Sequence, residues 1–324
     1  MSDLTQLSWH GNHLVRPECV LTTRAGYVYV SDFCGGVTEI SPAGVQSFFG
    51  GDDVPGYGQL KPNGIALLEN GDFLVAHLGD SQGGIFRIAR DNTITPFLTE
   101  IEGKPLPPSN FVYLDRQGRI WITVSTRHQP RAAAYRSDIA DGFIILVDKD
   151  GPRIVADHLG YTNELYVDAA GEFLYVNATF SRELLRYRIG PDNSLNDRTC
   201  IFRFGAGTFP DGLTQDSNGD FWITSIVSNR VLRVSADGHS EIVIEDVDPD
   251  HLEWVEAAFK NNAMGRPHLD NVKSRQLRSI SSLAFGGPNL DRIYLGCLLG
   301  ERIAVLPSGV RGQPPVHWHF DDSR

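Results

Sequence analysis

One pattern is written six times along this chain. The copy from Phe209 to Ser225 reads FPDGLTQDSNGDFWITS: an acidic residue beside a glycine, a short apolar run, a turn at Asn218-Gly219, then a second apolar run through Trp222. Matching stretches begin at Arg16 (RPECVLTTRAGYVYVSD), Lys61 (KPNGIALLENGDFLVAHL), Pro108 (PSNFVYLDRQGRIWITVS) and Tyr161 (YTNELYVDAAGEFLYVNA). A more degenerate copy, SISSLAFGGPNLDRIYLG, starts at Ser279. In five copies a glycine lies eight residues beyond one key position, held by Glu18, Asn63, Asn110, Asn163 or Asp211; the sixth copy has Ser281 there. Strand–turn–strand units recurring every ~45–50 residues are the signature of propeller blades. The chain is therefore predicted to be all-β, a six-bladed β-propeller of four-stranded blades with one short helical insertion, forming a single domain over 1–324.

A closed propeller seals its last blade with a strand from the other terminus, because a free edge invites aggregation. Leu7–Trp9 and His13–Val15 are the candidates. Two insertions interrupt the period. Residues 126–142 fall between the second and third strands of blade three. Residues 246–278 carry Leu252, Val255 and Phe259 at helical spacing after Pro249-Asp250, which predicts one short helix and a loop. The glycine-rich run 50–58 lacks the Lys-Ser/Thr and the helix of a phosphate loop, so it reads as a connector. In the tail, His317 and His319 would share one face of a strand and could bind metal, but a Pro-flanked terminal pair favours the plainer reading.

Charge and composition narrow the function. A net charge of −11, without a basic cluster, excludes nucleic acid as a partner. No apolar run reaches membrane-spanning length, and the start MSDLTQLSWHGNH resembles no secretory signal. Cys19, Cys34, Cys200 and Cys297 lack C-x-x-C spacing and read as reduced thiols of a cytoplasmic protein. The sequon Asn177-Ala178-Thr179 is then a chance match. Neither a G-x-S-x-G elbow nor a WD-type docking signature is present.

The first strand of a blade lines the central channel, so the six key residues converge at one mouth. All six carry oxygen, two are carboxylates and none is basic. Such a set desolvates poorly unless a cation balances it. Hard divalent ions, calcium foremost, take all-oxygen ligands, and the absence of His and Cys from the ring argues against a zinc or copper site. If the first strand descends from this mouth, the second strands return to it, bringing Asp32, His77, Arg127, Asn177 and Ser225 around the ring. Both insertions join strands at the same face, as lids over a small-molecule pocket. Asn63, His77, Arg127 and His128 are candidate substrate contacts.

These motifs also carry a resemblance. RPE, PSNF followed by DRQGRIWIT, YTNE and FPDGL, in that order at blade spacing, resemble the senescence marker protein/gluconolactonase family, the regucalcin-like lactonases, over nearly the whole chain. The resemblance implies one divalent metal, calcium first with zinc, manganese and magnesium as alternatives, on Glu18, Asn163 and Asp211. It places Asn110 beside the metal as a substrate contact, and it makes Asp211 the general base for water attack on a small-molecule lactone. Asn110 would also help the metal to stabilise the developing oxyanion. The chain departs from the family at Glu18-Cys19-Val20, where the family has Glu-Gly-Pro, and at Pro108, where mammalian-type members have Arg. The expectation is thus a lactonase-like hydrolase. The alternatives are a non-catalytic calcium- or metabolite-binding propeller and a propeller lyase resembling strictosidine synthase.

Overall fold

The computed structural model describes residues 4–321 and contains six four-stranded antiparallel sheets arranged as a six-bladed β-propeller. From axis to rim, blade one is Val20–Thr22, Val28–Asp32, Gly36–Ile40 and Gln46–Gly50. Blade two is Pro62–Leu67, Phe73–His77, Gly84–Ile88 and Ile94–Leu98, and blade three is Ser109–Leu114, Ile120–Val124, Gly142–Asp148 and Gly151–Leu159. Blade four is Thr162–Val167, Phe173–Ala178, Glu183–Ile189 and Leu195–Arg203; blade five is Phe209–Gln215, Phe221–Ile226, Arg230–Val234 and Ser240–Glu245. In blade six, Ile280–Gly286, Arg292–Cys297 and Ile303–Pro307 are completed by Ser8–His10 from the other end of the chain. That closing strand pairs Ser8 with Val305 and His10 with Ile303. The expected closure is therefore made by the first of the two candidate segments; His13–Val15 forms no strand.

Each inner strand packs against the inner strand of the next blade, and Ile280–Gly286 returns to Val20–Thr22, so the circle closes. The repeated glycine explains the period. Gly26, Gly71, Gly118, Gly171 and Gly219 take φ of 90°, 91°, 76°, 74° and 90°, a turn conformation that a side chain strains. In blades three and five a buried aspartate braces that turn. Asp115 Oδ1 accepts from the Gln117 and Arg119 amides, both at 2.9 Å, while Oδ2 accepts from the Trp121 indole at 2.8 Å. Asp216 repeats the arrangement with Trp222 at 3.1 Å. Both indoles are buried between blades, where apolar contact drives the packing.

The run 50–58 contributes to a small hairpin, Asp53–Val54 with Gly58–Gln59. The second insertion holds the expected helix, Pro249–Lys260, capped by the Asp248 side chain on the His251 amide. It also holds a second, short helix, Arg266–Asp270, which the spacing did not announce. The first insertion makes one 3-10 turn, Arg131–Ala134. His317 and His319 lie on a turn rather than a strand, with only His319 exposed, so they share no metal-binding face. All four cysteines are free. Among the described residues no helix is long and apolar enough to cross a membrane.

Candidate active site

The inner strands do more than point their first residues at the axis. In blades two to six the pairing of first and second strands slips at one equivalent place: Pro62/Ile65, Ser109/Phe111, Thr162/Leu165, Pro210/Leu213 and Ile280/Leu283. Each slip is a β-bulge, and each contains a ring residue: Asn63, Asn110, Asn163, Asp211 or Ser281. A bulge adds a residue to one strand and re-aims the side chains there. All five, with Glu18 of blade one, are at least 94% buried.

The bulge carbonyls are tied from blade to blade around the mouth. Ser281 Oγ donates to the Glu18 carbonyl at 3.0 Å, and Asn63 Nδ2 donates to the Asn110 carbonyl at 2.9 Å. Asn177 Nδ2 donates to the carbonyls of Asp211 and Gly212 at 3.1 and 3.0 Å. Thr179 Oγ1 donates to the Pro210 carbonyl at 2.8 Å and accepts from Asn163 Nδ2 at 3.1 Å. The blades approach so closely that Gly64 and Gly212 have no room for a side chain: a Cβ on either would lie 2.6 Å from the neighbouring inner strand.

Because carbonyl and hydroxyl partners claim the amide nitrogens of Asn163 and Asn177, their Oδ1 atoms face the other way, buried and without partners; Asn110 Oδ1 is likewise bare. Glu18 Oε2 meets only Arg16 Nη2, at 2.6 Å and without hydrogen-bond alignment. Arg16 also reaches Asn63 Oδ1 at 3.5 Å and lies over the Phe33 ring. Burial above all, then the charges of Glu18 and Glu164, push the Asp211 carboxyl well above the usual range, with Arg16 and Arg131 pulling the other way. Burial likewise pushes Glu164 up to about 8, against hydrogen bonds from Ser282 and the Leu213 amide.

Three buried carboxyl groups and several bare amide oxygens around one axis suit a hard divalent cation, whose charge would relieve the desolvation cost. Among the described residues no three His, Cys, Asp or Glu side chains gather into a metal-ligating cluster, so such an ion would depend on the amides.

Below the ring a cavity of about 90 Å³ is lined by Cys19, Phe111, Glu164 and Ser282 and floored by Gln313–His317 of the tail. Above it, the two insertions merge into one apolar cluster in which Tyr135, Val255, Phe259 and Leu269 pack with Tyr161, Phe180 and Phe209. Glu256 anchors the helix by an ion pair with Arg182 and by accepting from the Gly207 amide at 2.8 Å.

The structure thus brings Glu18, Asn63, Asn110, Asn163 and Asp211 together, and ties three further candidates to partners of their own. Arg127 forms a two-pronged pair with Asp157 on the outermost strand of its own blade, both contacts at 2.8 Å. His128 Nδ1 meets Asp141 at 2.8 Å. His77 accepts from the Lys61 amide at 2.9 Å and lines a separate cavity of about 380 Å³ that no ring residue borders. All three of these candidate substrate contacts are thus held by protein partners. Sequence reasoning missed Arg16, Arg131 and Glu164, and took Asn177 only as a rim residue. Its burial also removes the sequon. Period-2 alternation would put Glu164 on the face opposite Asn163; only the bulge brings both inward.

A family model described as the SMP-30/gluconolactonase/LRE-like region matches residues 17–245. The chain belongs to this family. A 6-deoxy-6-sulfogluconolactonase from Pseudomonas putida is 27% identical over 245 residues, covering 74% of this chain and 76% of that relative. Among solved structures, a gluconolactonase from Xanthomonas campestris superposes with a TM-score of 0.67 at 18% identity, covering 93% of this chain and 88% of its own. Regucalcin, a calcium-binding protein from Agrobacterium tumefaciens, gives 0.65 at 16% identity, covering 94% and 96%. At such identities the superpositions speak to the fold alone. The family membership covers blades one to five, including Glu18, Asn63, Asn110, Asn163 and Asp211.

Proposed function

We propose that this protein hydrolyses a small-molecule lactone at the ring of bulge residues, with one divalent cation, calcium first, held by Glu18, Asn163 and Asp211. The reading is supported by family membership and by the gluconolactonase and sulfogluconolactonase names of its relatives. The observation that carries the site is the set of buried, partnerless oxygens on Asn110, Asn163 and Asn177 in a mouth that also buries the Glu18 and Asp211 carboxyls. A divalent ion bound there would polarise the lactone carbonyl and acidify a water molecule.

The chain's own groups supply the rest. Asp211, a ligand with a second carboxylate oxygen to spare, is the group that takes a proton from water. Asn110 offers an amide that can donate to the oxyanion as charge develops. The Asn177 and Thr179 bonds hold the Asp211 bulge in place, so these groups need little reorganisation during reaction. The lid cluster keeps bulk water from the mouth.

The test is hydrolysis of a panel of sugar and aliphatic lactones, followed by pH indicator. Chelator-treated protein would be compared with protein given back calcium, magnesium, manganese or zinc. Turnover restored by a metal is the expected result. Tight metal binding by calorimetry with no turnover on any lactone would overturn the hydrolase reading in favour of a binding module.

A further inference from the structure

We propose that the lid carries a receptor for a negatively charged substituent on the substrate, with Arg131 as the residue that reads it. The inference rests on the lactone-hydrolase reading and narrows its substrate class. Arg131 opens the 3-10 turn of the first insertion and is half-buried. Its Nη2 donates to Ser125 Oγ at 3.2 Å and its guanidinium lies 5.5 Å from the Tyr161 ring centre, while its Nε is buried without a partner.

Its neighbours on this face are differently placed. Arg16 pairs with Glu18, Arg127 with Asp157, Arg136 with Asp138, Arg182 with Glu256 and Arg266 with Asp270. Among the described residues no carboxylate lies within ion-pair distance of Arg131, in a chain with 40 acidic and 29 basic residues. A guanidinium cannot shed its proton to escape burial, so a partly desolvated one without a counter-ion costs free energy until an anion arrives.

Position decides which anion. Ser125 directly follows the second strand of blade three, and Tyr161 stands two residues ahead of Asn163 at the head of blade four. Arg131 therefore sits between the mouth ends of two blades that supply ring residues, close enough for its charge to act on Asp211 yet making no contact with that carboxylate. A molecule held at Asp211 would lie within reach of the same charge. Its planar fork of donors matches carboxylate, sulfonate or phosphate.

The experiment uses the full-length, metal-loaded protein and three lactones of one ring: gluconolactone, and the same ring bearing a sulfonate or a phosphate at C6. Wild type is expected to favour the charged lactones at least tenfold in kcat/KM, chiefly through KM. Arg131→Gln should cut that preference at least tenfold, and Arg131→Lys should restore part of it. Preference unchanged in Arg131→Gln, or absent in wild type, overturns the proposal. A sulfonate-only or phosphate-only preference identifies the substituent. Calorimetry with the ring-opened acids, with and without the C6 anion, reads the same difference without turnover. If no lactone is hydrolysed, the hydrolase reading fails by itself. The receptor would still be supported by tighter binding of the doubly charged acid that is lost in Arg131→Gln, and overturned by equal binding of the two acids.

Discussion

At the scale of single residues the ring is costly to fold and useful once folded. Asp211 and Glu164 are buried, and the charges of Glu18 and Glu164 add to the cost of ionising Asp211. Asp211→Asn should therefore lower turnover by about 10²–10⁴-fold, the span of a lost general base, and raise the melting temperature of metal-free protein by removing one buried charge. Kinetics and calorimetric melting together test this; full activity in the variant would remove Asp211 from the mechanism. Asn177→Ala should act in the opposite sense on stability. It strips the donor from the Asp211 and Gly212 carbonyls, and leaving buried groups unmet costs about 1–3 kcal/mol. Urea denaturation reads that loss directly.

At the scale of elements, the bulges and insertions show how the repeat was adapted. A plain strand would present alternate residues to the channel, whereas the bulge delivers two neighbours, such as Asn163 and Glu164. Close approach is part of this device: Gly212→Ala would drive a methyl group to 2.6 Å from the Ser281 carbonyl oxygen. The expected outcome is a destabilised protein with weakened metal affinity, and unaltered metal titration would show that the bulge tolerates displacement. The insertion helix depends on the largely buried Arg182–Glu256 pair. Glu256→Gln leaves Arg182 without its counter-charge beneath Phe209 and Phe259, at a cost of about 3–5 kcal/mol. Hydrogen exchange should then show faster opening of Pro249–Lys260, while slow exchange throughout the helix would mean that its apolar face alone holds it.

At the scale of the whole molecule, both termini complete what the repeats leave open. Ser8–His10 covers the edge of blade six, and the tail closes the channel floor with His317. Burial pushes His317 from its ordinary 6.5 down to about 4, with a hydrogen bond to the Thr22 backbone opposing. The folded protein thus keeps this ring neutral where the unfolded chain would protonate it. That stabilisation is complete above about pH 6.5 and fades as pH falls toward 4, by about 3 kcal/mol in all. His77, also lowered to about 4 by burial, adds a change of the same sign. Melting temperature should therefore drop between pH 7 and pH 4.5 in wild type, and by less in His317→Gln. Equal slopes in the two proteins would exclude the tail histidine as the cause.

How much of this was legible in the sequence follows from the range of the forces involved. Blade number, the turn glycines, the closing strand and the six ring positions are local or periodic properties. Positive φ selects glycine, alternation selects strands, and the pattern repeats in register, so the sequence by itself determined them. Only the tertiary structure decided the partners. Arg127 and His128 stand at the head of a lid in sequence, yet Asp157 and Asp141 claim them. Arg131 is one basic residue among several in its insertion, and Arg16 falls just outside the ring register. What brings either to the site is packing between segments distant along the chain. The bulges belong to the same class, because a slipped register arises only when two strands pair, and the packing of neighbouring blades then fixes which oxygens are left bare.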